Sequence, residues 1–227
     1  VNVYFYRRRA YVSSETKKIN GDGIENEKKK PKAVRHIILI RHGQYNLDGI
    51  TDPDRTLTEL GKSQAKMTAM RLKELDLPYT SLVWSTMTRA KETAMIIREA
   101  LSSEINIQEC SLLEEGAPVP PEPPIGHWKP PYHQFFQDGA RIEAAYRKFF
   151  HRADMSQEQD SYDVIVCHAN VIRYFVCRAL QYPAEGWLRL SLHHASITWL
   201  SILPSGRVLL RCYGDAGYMP PYALTTS

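Results

Sequence analysis

Two unbroken apolar runs organise the chain: Arg35 leads through His36-Ile37-Ile38-Leu39-Ile40 into Arg41-His42-Gly43, and Asp163-Val164-Ile165-Val166-Cys167 leads into His168-Ala169-Asn170. Runs that are apolar at every position, rich in β-branched residues and ended by a turn or a helix start, predict central parallel strands covered on both faces. The strands are expected at Arg35 to Ile40 and Tyr162 to Cys167. Between them, Thr58 is the N-cap expected for a helix with Ala65, Ala69 and Leu72 on its inner face, ended by Pro78. Ser81-Leu82-Val83-Trp84 is a short strand, and Ser85-Thr86 is expected to cap a helix from about Met87 to Leu101 that carries Arg89 in its first turns. A minor strand at Ile105 to Ile107 follows.

Ala117 to Pro131 holds seven of the fourteen prolines, a composition for polyproline II rather than a sheet. It reads equally as a substrate-shaping flap or as a stiff spacer. Aromatic-rich helical patterns cover Tyr132 to Phe136 and Arg141 to Arg152, and another helix spans Val171 to Leu180. Pro204-Ser205-Gly206 joins Ser196–Leu203 to Arg207–Cys212 as a hairpin. The fold class is therefore α/β, a single domain with a mostly parallel sheet flanked by helices.

Charge is unevenly spread. The first 35 residues hold ten Lys/Arg and four Asp/Glu, a net +6, which leaves −2 for the rest. Residues 1–34 read as a basic, poorly ordered arm, with docking on a membrane surface or a protein as the sharper reading. The nearly neutral folded part gives no reason to expect a nucleic-acid partner. Cys110, Cys167, Cys177 and Cys212 lack CxxC spacing and read as free core thiols of a reducing compartment, although four cysteines allow three pairings. No apolar run is long enough for a membrane span. The chain does not begin with Met, so it is read as a fragment whose parent can carry an anchor.

In open α/β sheets ligands bind at the carboxyl ends of the strands, where helix N-termini present free N–H groups. Two histidines, Arg41 and Arg89 at one such rim suit phosphoryl transfer, which needs mainly positioning and cationic cover. A neutral imidazole can take the phosphoryl group, and Glu114-Glu115 supplies a carboxylic acid for the leaving oxygen, each able to raise the other's pKa. His168 taken alone reads equally as a hydrogen-bonded core residue. His36 and His193-His194 lack metal-ligand spacing, so no metal and no cofactor are expected. The absence of a G-x-S-x-G elbow argues against a serine hydrolase.

Four motifs in order resemble the histidine phosphatase (phosphoglycerate mutase-like) superfamily: Leu39-Ile40-Arg41-His42-Gly43; Leu57-Thr58 with Gly61 and Gln64-Ala65; Ser85-Thr86-Met87-Thr88-Arg89-Ala90 with Glu92-Thr93-Ala94; and Cys167-His168-Ala169-Asn170-Val171-Ile172-Arg173. Asp138-Gly139-Ala140-Arg141, Glu185-Gly186-Trp187-Leu188-Arg189-Leu190 and Tyr218-Met219-Pro220-Pro221 look like its mitochondrial branch, which acts as protein serine/threonine phosphatases. The resemblance implies a three-layer sandwich over residues 35–221, with 222–227 as a tail. It implies His42 as nucleophile, Glu115 as general acid, His168 as stabiliser, and Arg41 and Arg89 as phosphate clamps. Phosphorylated proteins are the implied substrates, the mitochondrion the implied location with the cytoplasm as alternative, a homo-oligomer such as a dimer an implied assembly, and a segment absent from this chain the implied membrane anchor.

Three departures stand out. Glu114 occupies a place usually basic, and Tyr45 and Asp48 replace a small hydroxyl residue and an asparagine that aid phosphate binding. A mutase that returns the phosphoryl group to a phosphoglycerate and a weakly active phosphoprotein scaffold are the rival readings; Tyr222 to Ser227 offers no cation to grip a small anion.

Overall fold

Strand β1 (Arg35–Arg41) is buried along its whole length, as its unbroken apolar run demands. The computed structural model describes residues 31–101, 104–126 and 128–226, so the expected basic arm falls almost wholly outside the described residues. β1 pairs in parallel with β4 (Ser161–Cys167) and antiparallel with β5 (Ile197–Ile202). With β2 (Ser81–Trp84), β3 (Asn106–Glu109) and β6 (Val208–Asp215) the sheet order is β3-β2-β4-β1-β5-β6. Only β5 runs against the others.

Alternate residues of the central strands feed two cores. Ile38, Ile40, Leu82, Trp84, Val164 and Val166 pack under α1 (Glu59–Leu75) and α2 (Thr88–Arg98). Ile37, Leu39, Val83, Ile165 and Cys167 pack under α3 (Tyr132–Phe149) and α4 (Ala169–Ala179). The result is the three-layer sandwich, with both sheet faces dry.

Local chemistry explains where the elements begin. The Thr58 hydroxyl accepts the Gly61 N–H at 3.0 Å and caps α1. α2 corrects the expectation: neither Ser85 nor Thr86 is its cap. Met87 occupies that position, and Asp52, from the loop after β1, accepts both the Thr88 N–H at 2.8 Å and its hydroxyl at 2.9 Å. The helix stops at Arg98, short of Leu101. The two aromatic segments are one continuous helix, α3, because Asp138 and Gly139 face a tertiary partner instead of breaking it: the Asp138 carboxylate accepts the Ala117 N–H at 2.9 Å. β6 runs three residues beyond Cys212.

The proline segment enters neither helix nor strand among its described residues. It is tied down on the short turn at Ala184–Arg189, where the Trp187 indole N–H donates to the Val119 carbonyl at 2.9 Å and the Glu122 N–H to the Glu185 carbonyl at 2.9 Å. All four cysteines are unpaired, three of them buried. Among the described residues no helix is long and apolar enough to cross a membrane.

Candidate active site

Register brings the candidates together. Arg41 pairs with Cys167 and Trp84 with Val166, so His42, Ser85 and His168 leave three adjacent parallel strands side by side. Gly43 then turns against α1 so closely that a Cβ would stand 2.5 Å from the Gly61 carbonyl oxygen. Only glycine lets the chain leave β1 there with the helix start packed behind it.

Two contacts fix the His42 tautomer. Its Nδ1 lies 2.8 Å from the Gly43 carbonyl, which can only accept, so Nδ1 carries the proton. Its Nε2 receives the Arg89 Nε–H at 3.3 Å and therefore holds the lone pair. Burial, then His168, Arg89 and Arg41, hold its pKa well below the ordinary imidazole value. His42 is thus neutral and oriented, as a nucleophile would have to be.

The surroundings are short of hydrogen-bond acceptors. The His168 ring lies 5.1 Å from that of His42, and its Nε2 meets the Ser85 hydroxyl at 2.8 Å. That hydroxyl also accepts the Met87 N–H at 3.3 Å and has its own proton to give to His168 Nε2, the arrangement in which His168 Nδ1 is a free donor. His168 Nδ1, Arg41 Nε and Arg89 Nη1 are all buried without a hydrogen-bond partner among the described residues. A buried polar group left unpaired costs about 1–3 kcal/mol. Arg89 Nη1 still has the Asp52 carboxylate 3.5 Å away, whereas Arg41 Nε and His168 Nδ1 have no acceptor, and these two beside one nucleophile candidate describe a hole for an anion with several acceptor oxygens.

Each guanidinium is held from behind. Arg41 donates through Nη1 to the carbonyls of Leu192 at 2.6 Å and Thr226 at 2.8 Å, and burial lowers its pKa to about 10. Arg89 lies 3.5 Å from Asp52 and stacks 4.7 Å from the Tyr45 ring centroid. Tyr45 also meets the His42 ring edge-on at 5.1 Å. In place of a small hydroxyl donor, this chain has an aromatic wall that holds Arg89. Asp48 is exposed.

Glu115 is the candidate acid. Its pKa is raised, burial outweighing the opposing Arg89 charge, the Gly116 N–H at 3.2 Å and Arg41. The expected repulsion from Glu114 is not the cause: Glu114 turns to accept the Thr86 hydroxyl. The loop is fixed by Arg141, which donates to the carbonyls of Glu114 at 2.5 Å and Glu115 at 3.0 Å while paired with Asp138 at 3.1 Å. Asn170 adds a bond to the Gly116 carbonyl at 3.0 Å. A Cβ on Gly116 would meet Asp138 and Arg141 within 2.7 Å, so this clamp needs glycine.

The sequence profile of the histidine phosphatase superfamily (branch 1) matches residues 37–214. The chain belongs to that superfamily. It is 58% identical over 198 residues to the serine/threonine-protein phosphatase PGAM5, mitochondrial, of Rattus norvegicus, covering 87% of this chain and 68% of the relative. It is 54% identical over 214 residues to its namesake in Drosophila yakuba, covering 94% and 74%. Among solved structures, the phosphoglycerate mutase from Plasmodium falciparum superposes with a TM-score of 0.59 at 32% identity, covering 84% of this chain and 96% of that one. Bacillus stearothermophilus YhfR superposes at 0.62 and 20% identity, over 81% and 98%, which speaks for the fold alone.

On this histidine phosphatase frame all five sequence candidates reach one rim. Sequence reading missed the residues that hold them. Asp52 was only part of a polar turn, and Arg141 and Asp138 lay in a helix with no charge pattern pointing inward. His194 is buried with its ring 5.6 Å from that of His42, and the tail closes over it, Thr225 and Thr226 bonding His194 and Arg41. No spacing signal could have found the tail contacts. Among the described residues no group of three metal-ligating side chains occurs.

Proposed function

We propose that this chain hydrolyses phosphoserine and phosphothreonine on proteins through a phosphohistidine on His42. The observation that carries the reading is the oriented lone pair of His42 Nε2 beside the unpartnered nitrogens of Arg41 and His168 and the Arg89 guanidinium. Nε2 attacks phosphorus in line, and the phosphoryl oxygens take the free N–H groups. Glu115, protonated, gives its proton to the leaving serine or threonine oxygen. It then removes a proton from the water that attacks the phosphorus of phospho-His42, which returns the imidazole and inorganic phosphate. The names of the rat and Drosophila relatives support the protein substrate class and a mitochondrial location.

The catalytic unit spans residues 35–221, after the basic arm 1–34, with 222–227 as a tail that contributes contacts to the site. Membrane attachment would run through a segment outside this sequence. Tyr132 and Phe136, about three-quarters exposed on α3, support a homo-oligomer. The mutase reading draws on the Plasmodium structure and on the tail lying at the site. Here, however, the tail offers carbonyls to Arg41 and no cation to a substrate, which favours hydrolysis.

The test is to quench the protein in alkali after mixing with a phosphopeptide and to look for acid-labile phosphate on His42. It is expected in the wild type and absent in His42→Ala. Turnover of His42→Ala at the wild-type rate would refute the mechanism, and isomerised phosphoglycerate without released phosphate would favour the mutase.

A further inference from the structure

The His42 ring lies between two imidazoles, and only one of them, His168, has a role so far. His194 is 1% exposed, and its Nε2 is buried without a hydrogen-bond partner among the described residues. Its ring stands 5.6 Å from that of His42, against 5.1 Å for His168.

A chain of hydrogen bonds sets its tautomer. The Gln44 N–H donates to Gln64 Oε1 at 2.8 Å, so the other end of that amide is the donor. Gln64 Nε2 donates to the Ala223 carbonyl at 2.8 Å and to the Thr225 hydroxyl oxygen at 2.8 Å. The Thr225 hydroxyl thus accepts from Gln64 and has its own proton to give to its other neighbour, His194 Nδ1 at 2.8 Å; we infer this direction for the bond. The backbone repeats the tie, His194 N–H to the Thr225 carbonyl at 2.8 Å. The proton of His194 then sits on Nε2, the atom with no partner. His168 is wired the same way from the opposite side, a hydroxyl on one ring nitrogen and a free N–H on the other.

We propose that His194, oriented by Thr225 of the C-terminal tail, donates its Nε2–H to the transferring phosphoryl group as a further catalytic residue. The imidazole stays neutral: burial first, then the Arg41 charge, lowers its pKa to about 3 against the opposing Thr225 backbone, so it serves as a donor without titrating at working pH. The tail is thereby part of the site, since Thr225 sets His194 and the Thr226 carbonyl holds Arg41. This rests on the phosphoryl-transfer reading of the same site and adds a donor to it.

Isosteric variants separate this role from mere anchoring of the tail. Glutamine places its amide N–H near the position of Nε2, whereas asparagine reaches only as far as Nδ1. With p-nitrophenyl phosphate as substrate and orthovanadate as probe of the transition state, His194→Asn and His194→Phe are expected to lower kcat/KM about 10-fold and to weaken vanadate inhibition in parallel, the loss expected of one modest donor. His194→Gln should regain most of both. The reverse order, asparagine active and glutamine impaired, would assign His194 to tail anchoring and overturn the proposal, as would wild-type values in all three. Because a variant can fail to fold, 15N–1H correlation of the histidine side chains in the wild type gives a second reading. A proton on Nε2 of His194 is expected, and one on Nδ1 would overturn the wiring. A wild type that forms no phospho-His42 would instead sink the functional reading itself.

Discussion

β1 carries the same dipeptide at both ends, Arg35-His36 where it enters the sheet and Arg41-His42 where it leaves, and the two pairs have opposite fates. Arg35 is saturated: it donates to the Phe149 carbonyl at 2.8 Å, the His151 carbonyl at 3.1 Å and the Asp163 carboxylate at 2.6 Å. Its neighbour His36 meets the Ser201 hydroxyl at 2.9 Å and the Trp199 indole at 3.1 Å through Nδ1, stacks on Tyr162, and lies 3.9 Å from Asp160 through Nε2. Arg41 and His42 are as deeply buried, yet Arg41 keeps an orphan Nε and the His42 lone pair meets only the Arg89 Nε–H at 3.3 Å. Residue type and burial therefore do not make a site. What separates the two ends is that the exit end holds its arginine through one nitrogen and leaves Arg41 Nε buried without an acceptor, at a cost in stability that a bound anion offsets.

The sharpest break in this symmetry is the histidine pair. His42→Ala is expected to remove at least about 10⁴ of the turnover, because no other group can carry the phosphoryl intermediate. His36→Ala should leave kcat within about 3-fold and cost about 1–3 kcal/mol in urea unfolding through lost packing and a stranded Trp199 indole N–H. Equal losses of activity in both variants would erase the distinction.

Next in size is Glu115→Gln, which keeps the shape of the loop and removes the proton. Phosphopeptide turnover should fall about 10²–10⁴-fold, while phospho-His42 accumulates with an aryl phosphate whose leaving group needs no acid. Because burial raises the Glu115 pKa, wild-type kcat/KM for a phosphopeptide should decline as pH rises through that value, and Glu115→Gln should lack this limb. The same variant should be no less stable than the wild type at neutral pH, since it relieves a buried carboxylate.

For the arginines the comparison runs in opposite directions. Arg41→Gln should cost about 3 kcal/mol of transition-state stabilisation, roughly 10²-fold in kcat/KM, with little change in stability. Arg35→Gln leaves Asp163 with only the Thr80 and Ser81 hydroxyls and should cost about 3 kcal/mol in unfolding free energy while the folded fraction keeps its turnover. A stable Arg35→Gln with lost activity would contradict both halves.

How much of this was readable in the sequence follows the same divide. The exit end was legible because hydrophobic period and strand direction together say where Arg41, His42 and His168 emerge, and the Thr58 cap was legible because its signal lies within three residues of the helix it starts. Asp52 capping α2, Arg141 gripping the Glu115 loop and Thr225 orienting His194 were not, since each joins residues 26 or more positions apart through a pair of polar contacts. Such contacts leave no periodicity. The role assigned to Glu114 failed for a related reason: adjacency in sequence suggested repulsion, but the loop turns the two carboxylates apart, one to Thr86 and one to the anion hole.

The smallest expected effect concerns acid stability. Burial holds His42, His168 and His194 neutral in the fold, the last with a pKa of about 3, while the unfolded chain binds a proton at each from about pH 6.5 downward. The unfolded state thus takes up more protons, so stability is fully present above pH 6.5 and falls as pH drops below it, by up to about 1.4 kcal/mol per pH unit for each histidine. At the entry end His36 is also lowered by burial, but Asp160 opposes the shift. Urea unfolding between pH 6.5 and 5 should therefore show a shallower pH slope in His194→Gln than in the wild type, by about one proton, and a smaller reduction in His36→Gln. If His36→Gln flattened the slope more, the entry end would be the more strained of the two, and the contrast between the ends of β1 would have to be redrawn.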